Sequence, residues 1–443
     1  MSLDQRFVTA TTDQEPARGD AAQLRRVVAS SYLGSTIEFY DFLLYGTAAS
    51  LVFNRLFFTQ LDPLAGTVAA FGTFAAGYLA RPLGGVIFGH FGDKLGRKSM
   101  LLLTMGLMGA ASFLIGVLPT YAQIGIWAPV LLVLLRIVQG VAVGGEWGGA
   151  ALMTAEHAGP RRRGLWASFT QMGAPSGMLL STAILAVFTA LPQAQFLAWG
   201  WRVPFLLSIV LVGIGLFVRL KVAESPLFAR GKSDDEVVRR PLVEVFRRHP
   251  RNLLLACGVG FGAFVAQSIL TTFVIAYAVG LGYPRSAVLT SLTISSGLAL
   301  VGLPAFAALS DRIGRRPVVL GGCVAMALAA FPLFWLINSK DPLLFTVAVV
   351  LGQSLLHPAM YGPLAALFTE MFGTRTRYTG ASLGYQTAST LGAGFAPLIA
   401  GGLLSATGGA SAAVSLFIVA ACAVSAIAIW FTRETRAADL ADA

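Results

Sequence analysis

The sequence predicts an all-α polytopic membrane protein, with twelve transmembrane helices arranged as two pseudo-symmetric six-helix bundles. Of its 443 residues 56% are hydrophobic and only 12% charged, with a mean hydropathy of +0.73. A soluble domain carries about 25% charged residues. Twelve stretches are apolar over roughly 20 residues, the length that lets a helix rising about 1.5 Å per residue cross a hydrocarbon core about 30 Å thick. The run GHFGDKLGRK at Gly89 to Lys98 returns in altered form as ALSDRIGRRP at Ala308 to Pro317, which sets Asp93 and Asp311 218 positions apart, half the chain. The chain is therefore a duplication.

In order, the first half gives spans at 27–57, 64–91, 99–119, 127–155, 164–190 and 201–220. The second gives 252–280, 287–309, 318–338, 343–369, 379–404 and 411–431. Residues 1–26 are polar and lack the apolar core of a removable signal peptide, so the first span is expected to direct insertion. The organisation is then a tail (1–26), a bundle (27–221), a linker (222–250), a second bundle (251–432) and a tail (433–443). The linker ESPLFARGKSDDEVVRRPLVEVFRRHP is the longest polar stretch. Within it Leu242, Val245 and Phe246 fall at i, i+3 and i+4, which fits either a short helix on the membrane surface or a solvated connection. A second repeat pairs Glu156, followed by Arg161, Arg162, Arg163 and Gly164, with Glu370, followed by Arg375, Arg377 and Gly380.

The net charge of +11 follows this topology. Segments on one side hold 26 of the 32 basic residues, and those on the other keep four, Arg55, Arg202, Arg285 and Lys340. By the positive-inside rule the first side is cytoplasmic and both termini lie there. With no soluble basic domain, nucleic acid is not an expected partner. Cys257, Cys323 and Cys422 fall inside spans without CxxC spacing and read as small buried hydrophobes.

Gly89, Asp93, Lys94, Gly96, Arg97 and Lys98 resemble the signature loop between helices 2 and 3 of the major facilitator superfamily, and Arg136, Gln139 and Gly140 in RIVQGVAVGGE resemble its helix-4 motif. The resemblance covers nearly the whole chain. SYLGSTIEFYDFLLYG, AGYLARPLGGVIFGHFGDKLGRK, GGEWGGAAL and WGWRVPF are similar to the metabolite:proton symporter family, whose members carry shikimate, α-ketoglutarate, citrate and other carboxylic acids, or proline and betaine. The resemblance implies the major facilitator fold and a monomeric symporter of the bacterial inner membrane. Its implied partners are protons, the lipid bilayer and a small organic acid or zwitterion. The osmoprotectant carriers of that family end in a coiled-coil tail, which the few residues after Trp430 do not resemble.

Glu38, Asp41, Arg81, Arg136 and Glu146 are ionisable residues inside spans of the first half. A charge at the bilayer centre costs at least about 2.5 to 3.5 kcal/mol, so it persists where it meets a partner or a water-filled cavity. Counting about 1.5 Å per residue puts Glu38, Arg81 and Arg136 about 17 to 18 Å above the cytoplasmic boundary. Glu38, Asp41 and Tyr45 share a helix face at i, i+3 and i+7; Arg136 shares one with Gln139. The expectation is that Arg81 and Arg136 hold a substrate carboxylate, with Tyr45, Gln139 and Gln171 as further contacts, while Asp41 or Glu38 takes the proton. Glu146 lies a quarter turn from Arg136. Static interior pairing is the competing role for these charges. In the second half His357 is the deep ionisable residue and a candidate substrate contact, with a satisfied interior histidine as the competing reading, and Gln267, Gln353, Tyr361, Tyr385 and Gln386 are further polar candidates.

Asp93 with Arg97 and Glu156, and Asp311 with Arg315 and Glu370, are expected to pair at the cytoplasmic helix ends, and the resemblance implies that these pairs close that face. Function classes narrow accordingly. GDKLGRKS lacks the spacing of a phosphate loop, so no ATP-driven pump is expected. Four scattered histidines supply no catalytic constellation, so no enzyme is expected, and neither a cofactor nor a metal. The alternatives to symport are anion exchange, uniport and, from another class, a membrane sensor on a carrier scaffold.

Overall fold

In hydrocarbon every backbone N–H and C=O must be satisfied within its own segment, which leaves apolar stretches of this length no regular option but the helix. The computed structural model describes residues 18–95, 97–158, 162–221, 245–247, 249–373 and 377–436, and among them every regular element is helical. The first half comprises α1 (Arg18–Ala48), α2 (Pro63–Leu95), α3 (Arg97–Val117), α4 (Trp127–Leu152), α5 (Arg163–Thr189) and α6 (Gln193–Phe217). The second comprises α7 (Pro250–Gly280), α8 (Arg285–Ile313), α9 (Arg315–Asn338), α10 (Pro342–Glu370), α11 (Thr379–Ala406) and α12 (Ser411–Phe431).

Helix α1 begins nine residues before the expected boundary, because Ala, Gln, Leu and Arg in that stretch are strong helix formers. Most of the linker, residues 222–244, lies outside the described residues, with Leu242; Val245 to Arg247 form a helical turn in which Val245 is buried and Phe246 exposed. The duplication is visible in backbone detail. Both α1 and α7 widen into a π-helical turn near their ends, at Ala49–Phe53 and Ile269–Phe273, a feature that concentrates at functional sites.

Helices α2 and α4 meet backbone to backbone. A Cβ on Gly140 would fall on the Gly77 carbonyl, and one on Gly144 on the Arg81 carbonyl. Only glycine permits this approach, and it fixes Arg81 and Arg136 on neighbouring helices at one depth. The seams between the halves run along α5 with α8 and α2 with α11. Many large exposed side chains are apolar, among them Leu254, Val301 and Leu328, as lipid contact requires.

Candidate functional site

Phe42 of α1 is the platform on which the two arginines meet. The Arg81 guanidinium carbon lies 3.9 Å from its ring centre and that of Arg136 3.6 Å. Arg81 also rests on Tyr78 at 4.2 Å, and Arg136 on Tyr45 at 4.2 Å. Such cation–π contacts contribute about 2 kcal/mol or more where water is excluded. They leave donors unused: Nε and Nη2 of both arginines are buried without a hydrogen-bond partner among the described residues.

Arg136 is wired to Asp41. Its Nη1 donates to Gln139 Oε1 at 3.1 Å, Gln139 Nε2 donates to Ser112 Oγ at 2.7 Å, and Ser112 is a polar neighbour of Asp41. Ser208 of α6 donates to Asp41 Oδ1, while Oδ2 has no partner. Asp41 is fully buried inside the first bundle, between α1, α3 and α6. Tyr45 donates to Thr73 Oγ1 at 2.7 Å. Glu38 is buried and shares electrostatic reach of Tyr361 and Tyr385 with Arg81. Glu146 is buried at the break that Gly145 opens in α4.

Between the halves is a cavity of about 20 Å³, room for one water, lined by Leu43, Ala174 and Met178 of the first half and by Gln267, Gln353 and His357 of the second. Nε2 of His357 and of Gln353 are buried without a partner. The second half thus supplies the polar wall. Glu38, Asp41, Arg81 and Arg136 do not line this cavity. In this conformation the two arginines pack on aromatic rings and the two acids are buried, rather than lining the wet chamber their depth in the sequence predicts.

The reason is that both ends are shut. Toward the basic-loop face, Trp147 of the first half stacks on Tyr385 of the second with ring centres 3.6 Å apart. Its Nε1 donates to Gln171 Oε1 at 2.9 Å, and Gln171 Nε2 reaches the Tyr361 carbonyl at 3.5 Å. Tyr361 and Tyr385 share a hydroxyl bond of 2.8 Å, and His357 stacks on Tyr361. Toward the opposite face Ser50 Oγ donates to the Thr272 carbonyl at 2.9 Å, joining α1 to α7. The conformation is occluded.

At the basic-loop face Asp311 accepts from the backbone N–H of Gly164 and of Leu165, both at 2.9 Å, across the seam. Arg315 holds Asp311 at 2.6 Å and Glu370 at 3.2 Å, and Arg163 of the first half reaches Glu370 at 3.3 Å. Asp93, Arg97 and Glu156 stand on helices, but their side chains lie outside the described ones. Sequence reading missed Glu434 and Thr435. Glu434 accepts from the N–H groups of Arg315 and Arg316, and Thr435 Oγ1 donates to Glu370 Oε2 at 2.6 Å. It also missed Ser112 and Ser208, whose hydroxyls carry no distinguishing sequence signal inside a span.

A paired bundle with buried charges between its halves is the architecture of a secondary transporter. The model of the Major Facilitator Superfamily matches residues 32–384, and the chain belongs to that superfamily. It is a multi-pass membrane transporter of small molecules, not an enzyme. The chain is 42% identical over 421 residues to the shikimate transporter of Escherichia coli (strain K12), covering 94% of this chain and 96% of that one. It is 41% identical over 436 residues to the inner membrane metabolite transport protein YhjE of the same organism, with 97% and 98% covered. The proline/betaine transporter of that organism is 35% identical over 400 residues, with 88% and 79% covered. The proton:xylose symporter XylE bound to 6-bromo-6-deoxy-D-glucose matches with a TM-score of 0.73 at 19% identity, over 94% of this chain and 97% of that one, a likeness of fold.

Proposed function

We propose that this transporter is a proton-coupled symporter that imports a small carboxylate-bearing metabolite, with its basic-loop face and both termini in the cytoplasm. One observation carries the reading: two buried guanidiniums share the Phe42 ring, each with two nitrogens that have no hydrogen-bond partner among the described residues, and one bonds Gln139, which bonds Ser112 beside the half-satisfied carboxyl of Asp41. Buried donors of this kind are costly unless a ligand uses them. Arg81 and Arg136 hold the carboxylate, supported by Tyr45, Gln139 and Gln171, with His357 on the opposite wall. Asp41 takes the proton, with Glu38 and Glu146 as further acids in the first bundle.

Ionised Asp41 draws the Arg136 relay toward itself and competes with the substrate anion; protonated Asp41 releases it. Proton and anion binding are thereby linked with the same sign. Bundles 27–221 and 251–432, joined by 222–250, rock about the site. Asp311, Arg315 and Glu370, with Asp93, Arg97 and Glu156 as their counterparts, hold the cytoplasmic face closed in the outward-facing state.

The name of the shikimate transporter supports a carboxylate. That of the proline/betaine transporter supports a second reading, a zwitterionic compatible solute. Proteoliposomes with an alkaline interior should concentrate shikimate, or a carboxylate found by thermal shift, and a protonophore should collapse the accumulation. Uptake indifferent to the pH gradient, or requiring a counter-anion inside, overturns symport.

A further inference from the structure

The extracellular face carries four cations, and two are already committed or remote. Arg202 donates to the Gly116 and Leu118 carbonyls at 2.9 and 2.7 Å, and Lys340 sits in the α9–α10 turn. The two acids of that face cap helices: Asp62 accepts from the N–H groups of Leu64 and Ala65, and Asp341 from those of Leu343 and Leu344. Arg55 and Arg285 remain, the latter with its guanidinium carbon 5.5 Å from the centre of the Phe196 ring. They come from opposite halves, at the end of the first helix and the start of α8, and both line a vestibule of about 460 Å³.

That volume suits a small metabolite. No acidic side chain is among the described residues lining it, and the polar groups beside the arginines are Asn54, Thr67 and Tyr277. Two like charges facing one water-filled mouth between low-dielectric walls repel each other and concentrate anions. Ser50 lines the vestibule and bonds the Thr272 carbonyl, while the neighbouring Thr271 lines the central cavity. The vestibule therefore ends one residue from the small central cavity.

We propose that Arg55 and Arg285 form an outer anion-recruiting subsite, occupied by the substrate carboxylate before the Ser50–Thr272 contact opens. As a recruiting step this rests on the carboxylate reading above; as an anion subsite it stands alone. A single carboxylate between the two guanidiniums would also remove their repulsion and draw the mouths of the two halves together. A zwitterion would gain less, its cation being repelled.

The test separates these levels. A cysteine introduced as Thr67→Cys reports the local potential through its rates with anionic sulfonatoethyl and cationic trimethylammonioethyl methanethiosulfonate, each normalised to a free thiol. At low ionic strength the anionic reagent should be favoured about tenfold, and 0.5 M salt should compress that preference. Adding Arg55→Gln and Arg285→Gln should abolish it, while Arg55→Lys with Arg285→Lys retains it and serves as the folding control. An unchanged ratio in the glutamine variant overturns the subsite. With the ratio lost, shikimate uptake by Arg55→Gln/Arg285→Gln should show a several-fold lower kcat/KM at low salt that converges with wild type at high salt. Loss of the ratio without any change in carboxylate uptake overturns the recruiting role and leaves the anion subsite standing.

Discussion

Asp311 and Gly164 belong to different halves of the protein, yet the Asp311 carboxylate accepts the Gly164 N–H at 2.9 Å and thereby caps the first turn of α5. The neighbouring Leu165 N–H completes the grip. An anion here is favoured by the helix dipole and by charge-assisted bonds of about 1.5 to 3 kcal/mol each. These bonds cross the seam between the halves, so parting the halves at this face would break them. Asp311→Asn should weaken the closed state by about 2 kcal/mol, roughly a 30-fold shift in the open-to-closed ratio. Spin-label distances between the basic-loop ends of α5 and α8 should lengthen; an unchanged distribution would show that the closed state does not depend on the carboxylate charge.

Gly140 should tolerate no side chain. In Gly140→Ala the new methyl would occupy the space of the Gly77 carbonyl, so α2 and α4 must part. Overpacking of this kind costs about 1 to 3 kcal/mol or more, and it also moves Arg136 away from Arg81. Gly106→Ala on α3, where no atom lies within 4 Å of the added carbon, is the matched control. Thermal unfolding in detergent should show a lower Tm for the first and little change for the second.

Much of this could be read from the sequence, because hydrocarbon makes the spans nearly one-dimensional. Residue counting alone put Arg81 and Arg136 at one depth, and the spacing of Asp93 and Asp311 gave the duplication. What the sequence could not show depends on which helices touch. Ser208 lies 167 positions from Asp41 and Trp147 lies far from Tyr385, and no periodicity within one helix encodes such meetings. The helical wheel grouped Asp41 with Tyr45, yet Asp41 turns to α3 and α6 while Tyr45 turns to α2 and Arg136. The chamber expected around the charges is nearly closed, because a sequence specifies all states of a carrier and one conformation displays only one of them.

Glu434 makes the closed face sensitive to acid. Partial burial pushes its carboxyl upward, but backbone N–H groups of Arg315, Arg316, Thr435 and Arg436 outweigh this and hold it below the usual 4.5. A depressed folded-state value contributes stability above the unfolded value, and that stability is lost as pH falls through the folded one. The loss should therefore begin below about pH 4.5, near the ordinary glutamate value. Solvent screening keeps the effect small, since Glu434 is exposed. Glu434→Gln should lower Tm slightly at pH 7 and flatten its fall between pH 5 and 3, measured by differential scanning fluorimetry. A wild-type Tm curve retained by the variant would remove Glu434 from the account.

Asp41→Asn separates binding from coupling. Asparagine keeps the size of the side chain and an oxygen for the Ser208 hydroxyl, so the bundle should fold with unchanged Tm. On the proposed coupling it removes the charge that competes for Arg136, leaving Gln139 and the guanidinium permanently in the state that protonation would create. Counterflow exchange of shikimate between equal pools should then persist, within about threefold of wild type, because exchange needs the alternation of sites but no net proton movement. Concentrative uptake under an alkaline interior should vanish, a loss of the whole accumulation ratio of about tenfold per pH unit that one coupled proton supports. Glu38→Gln distinguishes the acids, since Glu38 lies outside the relay and should retain accumulation if Asp41 alone couples. Full accumulation by Asp41→Asn together with its loss in Glu38→Gln would move the proton to Glu38 and sever the connection between the Ser112 relay and transport.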